Sequence, residues 1–139
     1  MEFTFSKEHQ LFRQMAHEFA EQEVRPLAKK IDAEGYTDMD LVRRLGENGL
    51  LGVPFPQKYG GAGLGELGYC ILMEEIGRVC TSTATLIGAH IGIGSMAIYM
   101  GGNEAQKQRY MPPLTSGEKI AAFCLTEPNA GSDAATIRT

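Results

Sequence analysis

The sequence has no basic surplus. Its 13 Lys and Arg stand against 17 Asp and Glu, for a formal net charge of -4 over 139 residues. A nucleic-acid binder needs a basic stripe to neutralise phosphates, and here Lys and Arg are spread along the chain, so no nucleic-acid partner is expected. Cysteine is scarce and odd in number: Cys70, Cys80 and Cys124 form no CxxC pair. Neither a disulfide framework nor a thiolate metal site is suggested, and a reducing, cytoplasmic compartment is the default expectation. His9, His17 and His90 make no ligand set with Cys or carboxylates at metal spacing, so no metal is expected. The opening "MEFTFSKEHQ" lacks a basic region followed by an apolar one, and no targeting segment is expected. The glycines of "GGAGLG", at 60, 61, 63 and 65, fit GxGxxG in no register, and no GK[ST] follows to cradle phosphates.

What is present is helical periodicity. With 43% hydrophobic and 22% charged residues, the chain has the composition of one ordinary globular domain. Leu11, Phe12, Met15 and Phe19, then Val24, Leu27 and Ile31, recur at three- and four-residue steps behind Ser6, a good N-cap. Pro26 lacks a backbone donor and is expected to divide or kink that helix. A second helix is predicted from Thr37, in a capping box with Asp40, through Leu41, Val42 and Leu45 to the stop signal Asn48-Gly49. Pro54, Pro56 and the glycines at 52, 60, 61, 63 and 65 then make a turn-rich connection. A third helix follows from Glu66 to about Val79.

Between Thr81 and Gly102 there is no charged residue. The run is long enough for a membrane span, and "GAHIG" matches a GxxxG contact. Its Ser, Thr, His and Gly content, and the lack of any second span, favour instead a helix buried on all sides at the centre of a bundle covering residues 6 to 116. No transmembrane segment is therefore expected. Small residues would let a neighbour or a ligand approach closely. His90 reads as a core histidine satisfied by a backbone carbonyl, with a ligand contact as the other reading. Gly101-Gly102 ends the helix, Asn103 and Gln106 cap the next one, and Pro112-Pro113 is expected to stop it.

The apolar run Ile120 to Leu125 breaks into a polar turn, "TEPNAGSD". A strand ending in Thr126 with a turn containing Gly131-Ser132 presents hydroxyls and backbone N–H groups together, suited to the polar edge of a planar ring or a phosphate. An ordinary Asx-type or proline turn is the other reading, and the string alone does not divide them.

Three strings in order do. "PQKYGGAGLG" before a helix bearing "EEIGR", then "GGNEAQKQRYMPPLTSGE", then "FCLTEPNAGSD" resemble the acyl-CoA dehydrogenase family over essentially the whole chain. The ending "AAFCLTEPNAGSDAATIRT" and the earlier "GAH" look most like its long-chain and very-long-chain branch. The resemblance implies an all-α helical bundle over residues 1 to 118 and, from 119 to 139, a short β segment that opens a middle β domain this chain does not complete. It implies FAD as cofactor and an acyl-CoA thioester as substrate, oxidised to trans-2-enoyl-CoA in fatty-acid β-oxidation. Electrons would pass to an electron-transferring flavoprotein, and the complete protein would be a homo-oligomer. Phe123, Cys124, Leu125 and Thr126 match the stretch along the flavin. Gly131 and Ser132 match the turn near the FAD pyrophosphate, and Ser132 also a contact to the CoA portion. Ser95, Met96 and Tyr99, on the uncharged helix, are candidate liners of the acyl cavity. No glutamate here matches the family's catalytic base, which Glu127 is not, so the 139-residue chain alone is expected to be inactive and to hold FAD weakly. An acyl-CoA oxidase that reoxidises its flavin with oxygen, or a non-catalytic helical assembly module, are the alternatives.

Overall fold

A computed structural model describes residues 4–139, and its regular structure is helical. The first helix begins at Ser6, whose hydroxyl accepts from the His9 N–H at 3.2 Å. It runs as α1 (Lys7–Phe19), widens into a π-helical turn (Ala20–Val24) and continues as α2 (Arg25–Glu34). Pro26 therefore does not divide it. In the wide turn the Arg25 N–H reaches back to the Ala20 carbonyl, five residues away, which accommodates the donor that Pro26 lacks. The buried stripe is Phe12, Ala16, Phe19, Ala20, Val24 and Ile31. Leu11, at 69% exposure, and Met15 turn outward, one row off the face expected for them.

Helix α3 (Met39–Glu47) is capped by Asp38, which accepts from the Leu41 N–H at 3.0 Å, in place of the predicted Thr37 box. It ends at Asn48 and Gly49, where φ of 69° favours glycine. The connection after it carries much of the core: Leu50, Leu51, Val53 and Phe55 are fully buried. Its backbone is satisfied internally, with Ala62 N–H donating to Gly52 O, Gly63 N–H to Phe55 O and Leu64 N–H to Val53 O at 2.8 to 3.1 Å. A single 3-10 turn (Gln57–Tyr59) closes it. Tyr59 is 1% exposed, and its hydroxyl donates to both carboxylate oxygens of Glu104 at 2.9 and 3.0 Å, while the Thr115 hydroxyl donates to the Tyr59 carbonyl at 2.7 Å. Tyr59→Phe should lower Tm by roughly 3 to 6 °C, read by thermal melting, because one charge-assisted hydrogen bond is lost from an otherwise unchanged ring.

Helix α4 (Gly65–Gly77) packs on α1, and Glu75 fastens the two. Its carboxylate is 4% exposed and accepts from Arg13 Nε at 2.8 Å, Arg78 Nε at 2.9 Å and His17 Nδ1 at 3.0 Å. Burial alone would raise its pKa, but hydrogen bonds from Arg13, Arg78 and His17 outweigh burial and hold it down at about 2.

Next comes α5 (Thr81–Gly88), a second π-helical stretch (Ala89–Ser95) and α6 (Met96–Gly101), forming one continuous helix. By length and composition this helix could cross a membrane. It is not buried on every side: only 33% of its most apolar 18-residue window is buried. Thr83, Ala84, Ile87, His90, Ile91, Gly94 and Ser95 face the core, whereas Thr85, Ala89, Gly92, Ile93 and Met100 face outward. The uncharged composition hid this asymmetry, since the outward face is largely Gly, Ala and Thr, which mark neither core nor solvent.

The predicted Asn103–Gln106 capping box opens α7 (Glu104–Thr115), and both of its hydrogen bonds form. Pro112 and Pro113 do not stop α7. Met111, Leu114 and Thr115 are buried, and the proline carbonyls still accept, Pro112 from Ser116 N–H at 3.1 Å and Pro113 from Lys119 N–H at 2.9 Å. The expected β segment carries no ladder among the described residues: Ile120 to Leu125 is irregular, and the β feature present is one isolated bridge between Glu127 and Ala130. A strand exists by pairing, and no neighbour pairs with this run.

Candidate functional site

The site is built where the long helix meets the chain that leaves α7. His90 is fully buried in the π-helical stretch. Its Nε2 donates to the Leu114 carbonyl at 3.1 Å and its Nδ1 accepts from the Ala121 N–H at 3.0 Å. Burial pushes its pKa down, opposed by the bond to Leu114, so the neutral ring is favoured. The expected backbone carbonyl is thus present, and a second backbone partner with it. One turn on, Gly94 lies so close to the passing chain that a Cβ there would sit 2.5 Å from the Ala121 Cβ and 3.2 Å from the Ala122 N. Glycine is required there by close approach.

Beyond that anchor the chain opens to solvent. Phe123, Cys124, Leu125 and Thr126 are all exposed, Phe123 at 52% and Leu125 at 44%. Among the described residues, Phe123 to Thr126 make no backbone hydrogen bond. The four therefore present a row of free peptide donors and acceptors together with one hydroxyl. The polar turn closes through Glu127 N–H to Ala130 O at 2.8 Å and Ala130 N–H to Glu127 O at 3.2 Å. The Glu127 carboxylate accepts from the Thr139 hydroxyl and from the Arg138 and Thr139 backbone, which lowers its pKa. Gly131 and Ser132 are exposed just after the turn.

The other expected residues are distributed differently. Ser95 is fully buried and its hydroxyl has no hydrogen-bond partner among the described residues, and Met96 is half-buried. Tyr99 packs its ring against Phe55 at 5.4 Å and Tyr59 at 6.2 Å between centroids. The open apolar groove on the long helix is lined instead by Tyr69, Thr85, Gly88, Ala89, Gly92 and Ile93. Tyr69 lies across the GxxxG pair: a Cβ at Gly92 would be 2.8 Å from its hydroxyl oxygen. The neighbour that the small residues admit is therefore a tyrosine of α4. Neither Tyr69 nor Gly94 stands out in the sequence, although the glycine spacing marks where something must approach. Among the described residues, no group of three His, Cys, Asp or Glu could hold a metal ion.

The fold and this arrangement define a helical domain whose last helix hands over to an exposed, hydrogen-bond-competent peptide and a polar turn. The family described as "Acyl-CoA dehydrogenase, N-terminal domain" matches residues 6–118. A short-chain-specific acyl-CoA dehydrogenase of Clostridium acetobutylicum is 45% identical over 139 residues, which is 100% of this chain and 37% of that relative. Butyryl-CoA dehydrogenase of Megasphaera elsdenii superposes with a TM-score of 0.91 at 35% identity, covering 100% of this chain and 37% of that one. An acyl-CoA dehydrogenase of Bacillus anthracis, solved in complex with FAD, gives a TM-score of 0.87 at 40% identity, over 96% of this chain and 23% of that one. The chain belongs to the acyl-CoA dehydrogenase family. It spans little more than a third of the length of the curated relative it matches.

Proposed function

We propose that this chain is the N-terminal portion of an FAD-dependent acyl-CoA dehydrogenase, and that its residues 119 to 139 open a second domain. The observation that carries the reading is the free peptide edge at Phe123 to Thr126, placed beside the helical domain in a chain that an acyl-CoA dehydrogenase relative matches over all 139 residues. These residues fit the polar rim of a flavin: backbone N–H and C=O groups and the Thr126 hydroxyl offer both donors and acceptors to a ring that has both. Gly131 and Ser132, exposed after a tight turn, suit a phosphate, and Ser132 a contact to the CoA portion. The bound cofactor would supply two-electron acceptance, chemistry that no side chain provides.

This chain's own part is binding and orientation. Glu127 is engaged by Arg138 and Thr139 and serves the turn, so the α-proton base is assigned elsewhere in the complete protein. The Tyr69, Gly88 and Gly92 groove is the apolar surface proposed for the acyl chain, with Ser95, Met96 and Tyr99 supporting the helix from the core side. The long-chain leaning drawn from the ending finds no support in the short-chain and butyryl-CoA relatives, and a short acyl thioester is the substrate class favoured here. Oxidation to the trans-2-enoyl-CoA, a role in β-oxidation, an electron-transferring flavoprotein as acceptor, a homo-oligomeric complete protein and a cytoplasmic setting belong to the same proposal, carried by family resemblance.

The test is FAD affinity of Thr126→Ala and Ser132→Ala in the flavin-loaded complete protein. Each removes a hydrogen bond to the cofactor, and the dissociation constant should rise roughly 3- to 100-fold. Unchanged affinity in both variants overturns the reading.

A further inference from the structure

We propose that His90 is a positioning residue for the flavin-facing peptide: by gripping Ala121 it fixes the direction in which Phe123 to Thr126 leaves the helical domain. The inference rests on the proposed flavin contact of that peptide. From Lys119 to the Glu127 turn, the backbone is tied at two points among the described residues, Lys119 N–H to Pro113 O and Ala121 N–H to His90 Nδ1. The second lies two residues before Phe123, and the chain beyond it is free until Glu127. His90 is therefore the last anchor, and any error in its direction is carried directly into the exposed peptide.

The partners also fix the ring's state. Ala121 N–H can only donate and the Leu114 carbonyl can only accept, so the imidazole must be neutral with its proton on Nε2. One ring thus joins α7, the π-helical stretch and the outgoing chain. Gly94 acts from the same helix face by a different means, admitting Ala121 and Ala122 into contact where any side chain would push them away. Two independent features, a hydrogen bond and a missing Cβ, converge on the same dipeptide.

The two bonds of His90 can be separated by substitution. His90→Asn places an amide oxygen near the position of Nδ1 and keeps an acceptor for Ala121, but falls short of Leu114. His90→Gln places an amide nitrogen near the position of Nε2 and keeps the bond to Leu114, but offers Ala121 no acceptor. Amide hydrogen exchange at Ala121 is measured in the 139-residue chain, and FAD dissociation in the complete flavoprotein carrying the same variants. In His90→Gln, Ala121 exchange should rise about tenfold and the FAD dissociation constant should rise in parallel by about fivefold, while His90→Asn stays within about twofold of wild type on both. A purely structural histidine predicts otherwise, namely losses that track each variant's Tm. Equal Ala121 exchange in the two variants, or flavin affinity that tracks Tm instead of Ala121 protection, overturns the inference. A wild-type protein that takes up no FAD overturns the flavin reading itself, and with it the role of His90 towards the cofactor.

Discussion

Gly61→Ala is expected to be among the most damaging single substitutions in this chain, costing about 3 kcal/mol or more, near the upper range for overpacking. An added Cβ would overlap the Phe55 carbonyl oxygen and lie 2.5 Å from the Phe55 carbonyl carbon and 2.7 Å from the Gly52 oxygen. All three are backbone atoms and cannot swing aside. Both carbonyls are also in use, Phe55 O accepting from Gly63 N–H, and Gly52 O from Phe55 and Ala62 N–H. Moving them would break the hydrogen bonds that hold Leu51, Val53 and Phe55 in the core. Chemical denaturation should show a midpoint lowered by roughly 1 to 2 M in urea. Gly63→Ala is the control. Gly63 has φ of 74° but no backbone atom against its Cβ position, so only conformational strain is added, about 1 kcal/mol. Equal losses in the two variants would refute the close approach at Gly61.

Replacing Glu75 by Gln should cost on the order of 2 to 3 kcal/mol at neutral pH and remove part of the protein's acid sensitivity. A neutral amide cannot accept charge-assisted bonds from Arg13, Arg78 and His17 together, and its own N–H groups face donors. The pH dependence comes from the depressed pKa. The folded carboxyl titrates at about 2, below the ordinary 4.5, so the unfolded chain binds its proton first as pH falls. The stabilisation is complete above about pH 5 and is lost progressively as pH drops from about 4.5 towards 2. Glu21 adds to the same window, since hydrogen bonds from Arg25 and Arg78 hold it at about 2. Wild type and Glu75→Gln should therefore converge in stability towards pH 2, as seen by denaturation across the range. A constant difference between them at every pH would show that Glu75 acts by packing alone.

Most local signals were legible where a side chain acts on its own backbone neighbours, the exception being α3, which Asp38 caps where a Thr37 box was expected. Ser6, Asn48-Gly49, Gly101-Gly102 and the Asn103–Gln106 box all mark ends where the chemistry is complete within four residues. Pro26, Pro112 and Pro113 misled because a proline subtracts a donor, and whether the helix survives depends on its surroundings: a widened turn before Pro26, and the burial of Met111, Leu114 and Thr115 around Pro112 and Pro113. The uncharged helix misled in a similar way, because lack of charge does not tell a buried face from an outward row of small residues. Within the candidate site, Phe123 to Thr126 stood out through motif order and the turn residues. His90 was recognisable as a core histidine, but its grip on Ala121 spans 31 residues of chain and could not be read from spacing. Tyr69 was invisible for the same reason, its partner glycines lying on another helix.

The two π-helical turns alter how length differences in this chain should be understood. Each packs one extra residue into a turn, so the halves of a long helix on either side keep separate rotational phases towards the core. Deleting one residue inside Ala89–Ser95 would shorten the helix by only about 1.5 Å but rotate its C-terminal half by about 100°. Gly94 and Ser95 would leave the face they now occupy while the earlier half, with Ile87, stayed in place. A one-residue gap at either turn is therefore a torsional change in the molecule, and alignments of such chains should treat it as a turn of the screw rather than a loss of length.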